Sequence, residues 1–110
     1  MSGPAVFLHV AGGDGTALRE VRAGLEEEGV PCRVIAAAGD AVAIAYSAAC
    51  ASPVSVGVGL DADSACLHLP QLPPGEPLLN LPAVHVPERL RALGHNAARL
   101  VKGAPLKELP

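Results

Sequence analysis

The sequence predicts a single α/β domain with helices on both sides of a mostly parallel sheet, which gives three layers. Short apolar runs alternate with amphipathic segments in the order strand, helix, strand, helix, strand within the first 60 residues. This alternation is typical of βαβ units, in which right-handed crossover helices join parallel strands. The chain has 110 residues, enough for one hydrophobic core, so we expect residues 1–110 to form one domain.

A glycine-rich loop separates the first predicted strand from the first predicted helix. Apolar residues alternate over 5–10, and Gly12-Gly13-Asp14-Gly15 follows, which indicates a strand and then a tight turn. A helix should begin at Thr16, the candidate N-cap, because Leu18, Val21 and Leu25 recur at helical spacing. Gly29 predicts its end.

The remaining elements are predicted from the same two patterns, apolar alternation in strands and helical spacing in helices. We predict strands at Cys32–Ala36, Val54–Leu60 and Ala65–Leu69, an edge strand around Leu78–Leu81, and helices at about Ala41–Ala51 and Glu88–Lys102. The helix over 41–51 is almost wholly apolar and small, so we expect it to be covered on most sides. This order of elements favours a Rossmann or flavodoxin-like architecture.

Composition excludes several classes of function. Aromatic residues make up only 2% of the chain, too few for the platforms on which single-stranded nucleic acids stack. The formal net charge is −3, so no basic surface is expected to hold a phosphate backbone. The apolar run 5–11 is too short to cross a bilayer, and residues 1–4 lack the basic segment of a signal peptide. We therefore expect a cytoplasmic protein that binds neither nucleic acid nor membrane.

Charge is unevenly distributed along the chain. Residues 1–63 hold three arginines against eight acidic residues, whereas residues 64–110 hold five basic and three acidic residues. This pattern predicts two differently charged faces, with the basic one on the last helix. The three cysteines, at positions 32, 50 and 66, have neither disulfide nor zinc-site spacing, so we interpret them as small buried thiols.

Three consecutive glutamates, Glu26 to Glu28, end the first predicted helix. This is the negative end of the helix dipole, so an outside cation would relieve their repulsion. Successive helical residues point about 100° apart, so the three cannot chelate together. One of them could give an oxygen to a hard cation completed by another chain. A solvated acidic helix end is the alternative interpretation.

Other candidate sites are weaker. The loop 12–15 lies where a doubly wound fold presents amides to a phosphate, but Leu18 stands where the dinucleotide motif needs a small third residue. Asp61 and Asp63 follow a strand and are either functional or engaged in local hydrogen bonds. The histidines, at positions 9, 68, 85 and 95, have no metal-site spacing, and no nucleophile with a nearby base can be assembled.

Several segments resemble the small subunit of diol and glycerol dehydratase-reactivating factors. They are Leu18-Arg19-Glu20-Val21, Gly24-Leu25-Glu26-Glu27-Glu28-Gly29-Val30-Pro31, Ser52-Pro53 with the strand after it, and Asn96-Ala97-Ala98-Arg99-Leu100-Val101-Lys102-Gly103. The resemblance runs in order over nearly the whole chain. One departure is Gly94-His95-Asn96, where the family more usually has Gly-Asn-Asn.

This resemblance implies a non-catalytic chaperone subunit with a fold like the dehydratase medium subunit. Such factors release damaged cobalamin from adenosylcobalamin-dependent dehydratases. The resemblance implies a large partner subunit with an Hsp70-like ATPase domain, an α2β2 assembly and exchange with the dehydratase medium subunit. It also implies that this chain alone binds neither cobalamin nor ATP, and that it works in the cytoplasm or in a bacterial microcompartment.

The resemblance assigns one site residue. The middle glutamate of the E-E-E-G segment, Glu27 here, would contribute to a divalent metal site shared with the large subunit, and Mg2+ suits a carboxylate ligand. Two other functions are kept as alternatives. One is a shortened dehydratase medium subunit that contacts cobalamin directly. The other is a free-standing flavodoxin-like module that binds a nucleotide or anion at 12–15.

Overall fold

The computed structural model describes residues 3–13, 15–82 and 86–109, which contain a five-stranded sheet and three helices. The elements are β1 (Val6–Ala11), α1 (Thr16–Glu27), β2 (Cys32–Ala36), α2 (Ala41–Ala51), β3 (Gly57–Asp61), β4 (Ser64–His68), β5 (Leu79–Pro82) and α3 (Pro87–Lys102). The strand order is β2-β1-β3-β4-β5. None of the helices in these ranges has the length and apolar character that crossing a membrane requires.

The sheet is mixed. β1 pairs in parallel with β2 and β3, as a βαβαβ unit requires, whereas β4 pairs antiparallel with β3 and with β5. Four strands therefore run in one direction and β4 runs in the other. The expectation of a mostly parallel sheet holds for strand direction but for only half of the pairings. The short turn after Asp61 reverses the chain at once, so a doubly wound parallel sheet of the Rossmann or flavodoxin-like type does not continue.

Helices cover both faces of the sheet, as the expected three layers require. Val58 and Leu60 of β3 point into the main core, which they share with α1 and α3. Gly57 and Gly59 alternate with them and face α2, whose backbone lies directly against these glycines. The glycines of β3 therefore allow α2 to lie close to one face of the sheet, while the larger Val58 and Leu60 pack against α1 and α3 on the other face.

The start of β3 and the N-cap of α1 differ from the predictions, and the other starts agree to within one residue. β3 begins at Gly57 rather than Val54 because Ser52 organises a turn: its Oγ accepts a hydrogen bond from the Val54 N–H and donates one to the Ala5 carbonyl. α1 has Gly15, not Thr16, as its N-cap, because Gly15 adopts a φ of 89° that favours glycine.

α2 is covered on one side only. It lies alone on its face of the sheet, so its outer residues Ala43, Ser47, Cys50 and Ala51 are exposed and the expected cover on most sides is wrong. Its predicted bounds are confirmed, and its N-cap is Asp40, whose carboxylate accepts a hydrogen bond from the Ala43 N–H at 2.9 Å.

Candidate functional site

α1 and α3 pack side by side through glycine, and this contact brings the candidate site together. A Cβ on Gly24 would lie 2.2 Å from the Arg91 carbonyl oxygen, and a Cβ on Gly94 would lie 2.3 Å from that of Val21. The two backbones are therefore too close for any side chain at these points. This approach lets the side chains of α1 and α3 on either side of the glycines reach one another.

Glu28 is held by two cations of α3. Its carboxylate pairs with the Lys102 Nζ at 2.7 Å and with the Arg99 Nη2 at 3.2 Å, and the Lys102 Nζ also donates to the Glu28 carbonyl at 3.0 Å. The hydrogen bond from Lys102, supported by Arg99, holds the pKa of Glu28 below its ordinary value. The positive charges of Arg99 and Lys102 also lie at the negative end of the α1 dipole, which is favourable. Glu28 therefore has a structural role, because it holds α3 against the end of α1.

Glu27 is the residue before Glu28, and its side chain is half exposed. Its Oε1 accepts a 2.7 Å hydrogen bond from the His95 Nε2, while its Oε2 lies 3.4 Å from the Arg91 Nη1. Arg91 is mainly engaged elsewhere, because its Nη2 and Nε lie 2.8 and 3.1 Å from the Glu20 Oε1. The bond from His95, with the charge of Arg91 adding to it, lowers the pKa of Glu27.

His95 connects Glu27 to the C-terminal segment. Its Nδ1 lies 2.8 Å from the Lys107 Nζ, and the main chain of Lys107 is bound on both sides by the side chain of Asn96. Asn96 is 2% exposed, and both halves of its amide are used: Nδ2 donates to the Lys107 carbonyl and Oδ1 accepts from its N–H. A groove of about 820 Å3 lies beside these residues.

The predicted separation into an acidic and a basic face is wrong. The acidic residues of α1 and the basic residues of α3 meet in two clusters, because the two helices are neighbours: Glu20 and Glu27 contact Arg91 and His95, and Glu28 contacts Arg99 and Lys102. The contacts of His95, Asn96 and Lys107 beside Glu27 are not predicted from the sequence. A signal was present in the spacing of Arg91, His95 and Arg99, which recur every four residues and so line one stripe of α3.

The structure separates the three glutamates by what they contact. Glu28 is paired with two cations, Glu27 with one histidine and a more distant arginine, and Glu26 is exposed. In the described part of the chain no three His, Cys, Asp or Glu side chains are close enough to hold a metal ion. A carboxylate has about four lone-pair directions and the contacts of Glu27 use two, so Glu27 fits as one ligand of a cation completed by another chain.

The glycine loop forms a pocket of about 570 Å3 at the carboxyl ends of β1 and β3. Gly12, Gly13 and Gly15 all have φ near 90°, a conformation that side chains disfavour, so the glycines are explained by backbone geometry. Asp14 lies outside the described residues. Asp61 is among the residues that line the same pocket, and its negative charge disfavours a phosphate there.

Asp61 ties three elements together by local hydrogen bonds. Its Oδ2 accepts from the Ala41 N–H at 2.8 Å, and its Oδ1 accepts from the N–H groups of Asp63 and Ser64 at 2.8 and 2.7 Å. Burial raises the pKa of Asp61, but these three hydrogen bonds outweigh it and lower the pKa from its ordinary value of 3.8. Asp61 therefore anchors the start of α2 and the turn into β4, and no functional pair with Asp63 is assembled.

We expect Asp61→Asn to destabilise the fold by about 2 kcal/mol at pH 7, because one amide N–H would face the N–H of Ala41. The lowered pKa of Asp61 means that its carboxylate stabilises the folded state above pH 3.8, and that this stabilisation is lost as pH falls through the folded-state pKa. The difference between parent and variant, measured by urea unfolding with circular dichroism, should shrink from pH 7 to pH 2. Asp63→Asn, at an exposed position, is the control and should change stability little.

The other candidate residues are dispersed. His68 is fully buried: its Nδ1 accepts from the Leu69 N–H at 2.9 Å, and its Nε2 lies 3.0 Å from the Pro74 carbonyl. Burial lowers the pKa of His9 on β1, and His85 lies outside the described residues. The expected burial of all three cysteines is confirmed only for Cys66: Cys32 is partly buried, and Cys50 lies exposed on the open side of α2. Burial, with the charges of Asp61 and Asp40, raises the pKa of Cys66 to about 11.

Comparison with known proteins gives one consistent result. Residues 3–107 match the family described as "Dehydratase medium subunit". The chain is 40% identical over 109 residues to the "Diol dehydratase-reactivating factor small subunit" of Klebsiella michiganensis, covering 98% of this chain and 87% of that protein. It is 38% identical over 115 residues to the "Probable glycerol dehydratase-reactivating factor small subunit" of Citrobacter freundii, covering 99% and 97%.

Two solved structures are similar over almost the whole chain. One is titled "Glycerol dehydratase reactivase", with a TM-score of 0.91 and 41% identity over 96% of this chain and 98% of that chain. The other is titled "Structure of diol dehydratase-reactivating factor complexed with ADP and Mg2+", with a TM-score of 0.90 and 41% identity over 97% of this chain and all of that chain.

Proposed function

Because the chain belongs to the dehydratase medium subunit family, and within it to the small subunits of diol and glycerol dehydratase-reactivating factors, we propose that it acts as a non-catalytic chaperone subunit. Its clients are adenosylcobalamin-dependent dehydratases from which damaged cobalamin must be released. The observation that carries this function is the roughly 40% identity to named small subunits over 98% of the chain. The large-subunit partner follows from the same names.

The mechanism we propose is subunit exchange. A large subunit carries the Hsp70-like ATPase domain and forms an α2β2 complex with this chain, in the cytoplasm or a bacterial microcompartment. When this chain leaves, the medium subunit of the dehydratase takes its place, and the resulting clash opens the cobalamin site. The membership of this chain in the medium subunit family supports the exchange, because two chains of one fold can occupy the same surface of a partner.

A reconstitution tests this function. We expect this chain, mixed with a reactivating-factor large subunit, ATP and Mg2+, to restore activity to a cyanocobalamin-inhibited dehydratase. Each component left out in turn provides the control. Failure of the complete mixture, with native mass spectrometry showing that the two subunits have assembled, would overturn the proposal. A spectral titration of the isolated chain with cobalamin should show no binding, whereas binding would favour a shortened dehydratase subunit.

Within the complex, we propose that Glu27 contributes one carboxylate ligand to a Mg2+ site shared with the large subunit. The side chain of Glu27 supports this, because 51% of it is exposed, whereas the side chain of Glu28 is 17% exposed and is paired with two cations. The bound ion would supply a bridge between the chains, and this chain's part is to hold one negative oxygen at the contact.

We expect Glu27→Gln to weaken Mg2+-dependent association with the large subunit about tenfold or more, since an amide oxygen lacks the charge that a hard cation needs. Glu26→Gln is the matched control, because it makes the same change at the exposed neighbour one residue away. Titration calorimetry with and without Mg2+ measures both. Equal weakening by the two variants, or an effect of Glu27→Gln that persists without Mg2+, would contradict the assignment.

A further inference from the structure

We propose that His95, fixed by Lys107, is a positioning residue that binds Oε1 of Glu27 and leaves Oε2 as the oxygen presented to the partner-shared cation. This inference rests on the proposed role of Glu27. With this role, α3 and the C-terminal segment also contribute to the proposed contact with the large subunit. Neither segment is next to Glu27 in the sequence.

The first step is the tautomer of His95. The ammonium of Lys107 can only donate a hydrogen bond, so the His95 Nδ1, 2.8 Å from the Lys107 Nζ, must accept. The imidazole is then neutral with its proton on Nε2, and this N–H points at the Glu27 Oε1 at 2.7 Å. Lys107 therefore assigns His95 the one tautomer that donates to Glu27.

The second step is the asymmetry between the two oxygens of Glu27. Oε1 accepts the short bond from His95, whereas Oε2 has only a 3.4 Å contact with Arg91. A charge-assisted bond between these groups is ordinarily about 2.7–2.9 Å, so the contact to Oε2 is weak. Arg91 makes its shorter contact with Glu20, whose Oε1 lies 2.8 Å from the Arg91 Nη2. Oε2 is therefore the oxygen left for an outside ligand.

The third step is the anchoring of Lys107. The C-terminal segment has no regular secondary structure over 104–109, yet the buried amide of Asn96 holds the Lys107 main chain by two hydrogen bonds of 2.7 and 3.0 Å. This clamp places the Lys107 side chain beside His95. Partners of this kind fix the orientation of a ligating side chain, and their loss commonly weakens metal binding about 10–100-fold.

The test compares two substitutions of His95 in the complete complex with the large subunit. His95→Phe keeps an aromatic ring but removes the donor, and we expect it to weaken Mg2+-dependent association about tenfold. His95→Gln retains an N–H donor near the same place, and we expect it to stay within about threefold of the parent. Both variants should associate as the parent does without Mg2+, which separates positioning of the ligand from general damage to the contact.

A spectroscopic readout on the isolated chain is independent of the metal. The 15N shifts of the His95 ring should report the Nε2–H tautomer, and Lys107→Met should shift the ring toward a mixture of tautomers. If Glu27→Gln and His95→Phe both bind as the parent does, the proposed role of Glu27 fails and this inference fails with it. If only Glu27→Gln weakens binding, or if His95→Gln is as weak as His95→Phe, the role of Glu27 stands and the positioning role is overturned.

Discussion

Gly94→Ala is expected to lower the free energy of unfolding by about 3 kcal/mol, at the upper end of the cost of overpacking a core. Its Cβ would lie 2.3 Å from the carbonyl oxygen of Val21, and a backbone atom cannot rotate away as a side chain can. α1 and α3 would have to separate. Alanine is intrinsically better than glycine in a helix by about 1 kcal/mol, so a net loss would show that the close approach dominates.

Urea unfolding followed by far-UV circular dichroism measures this loss, and Gly75→Ala is the control because nothing lies within 4 Å of the added Cβ. The same separation would move His95 away from Glu27, so Gly94→Ala should also weaken association with the large subunit. A variant as stable as the parent would mean that α1 and α3 do not pack as closely as described.

The second large effect is expected at Gly59 of β3. A Cβ there would lie 2.2 Å from the Ala41 carbonyl oxygen and 2.5 Å from the Ala45 nitrogen, so Gly59→Ala should destabilise the fold by about 3 kcal/mol. α2 lies against the sheet with its backbone, and the added methyl group would lift the helix from β1, β3 and β4 together.

A second substitution shows whether backbone or side chain opposes the methyl group. Ala45→Gly removes the Cβ of the facing residue but leaves the backbone atoms in place, so the double variant should be no more stable than Gly59→Ala. Recovery of stability in the double variant would contradict a backbone contact. Circular dichroism during thermal unfolding, with Ala45→Gly alone as the reference, gives the comparison.

Local features of the chain were sufficient to predict most of the elements. The bounds of β2 and α2 and the end of α3 at Lys102 follow from apolar periodicity and from capping residues, which act over a few positions. The start of β3 was predicted three residues early, because the apolar pattern over 54–60 does not reveal that Ser52 bonds to Ala5. That contact spans 47 positions.

The candidate site was only partly predictable. The sequence and its resemblance to a family single out Glu27, but they do not indicate which of its oxygens is free or what binds the other. Those answers depend on His95 and Lys107, which are 68 and 80 positions away along the chain. No local pattern reports such a distance.

The sequence by itself determined the order of elements, the glycine turns at their ends and the family. Periodicity, turn residues and shared segments are all local properties of the chain. Only the tertiary structure decided that the acidic end of α1 meets the basic stripe of α3. The physical reason is that ion pairs and hydrogen bonds depend on distance in space. Gly24 and Gly94 set that distance by allowing the two helices to touch.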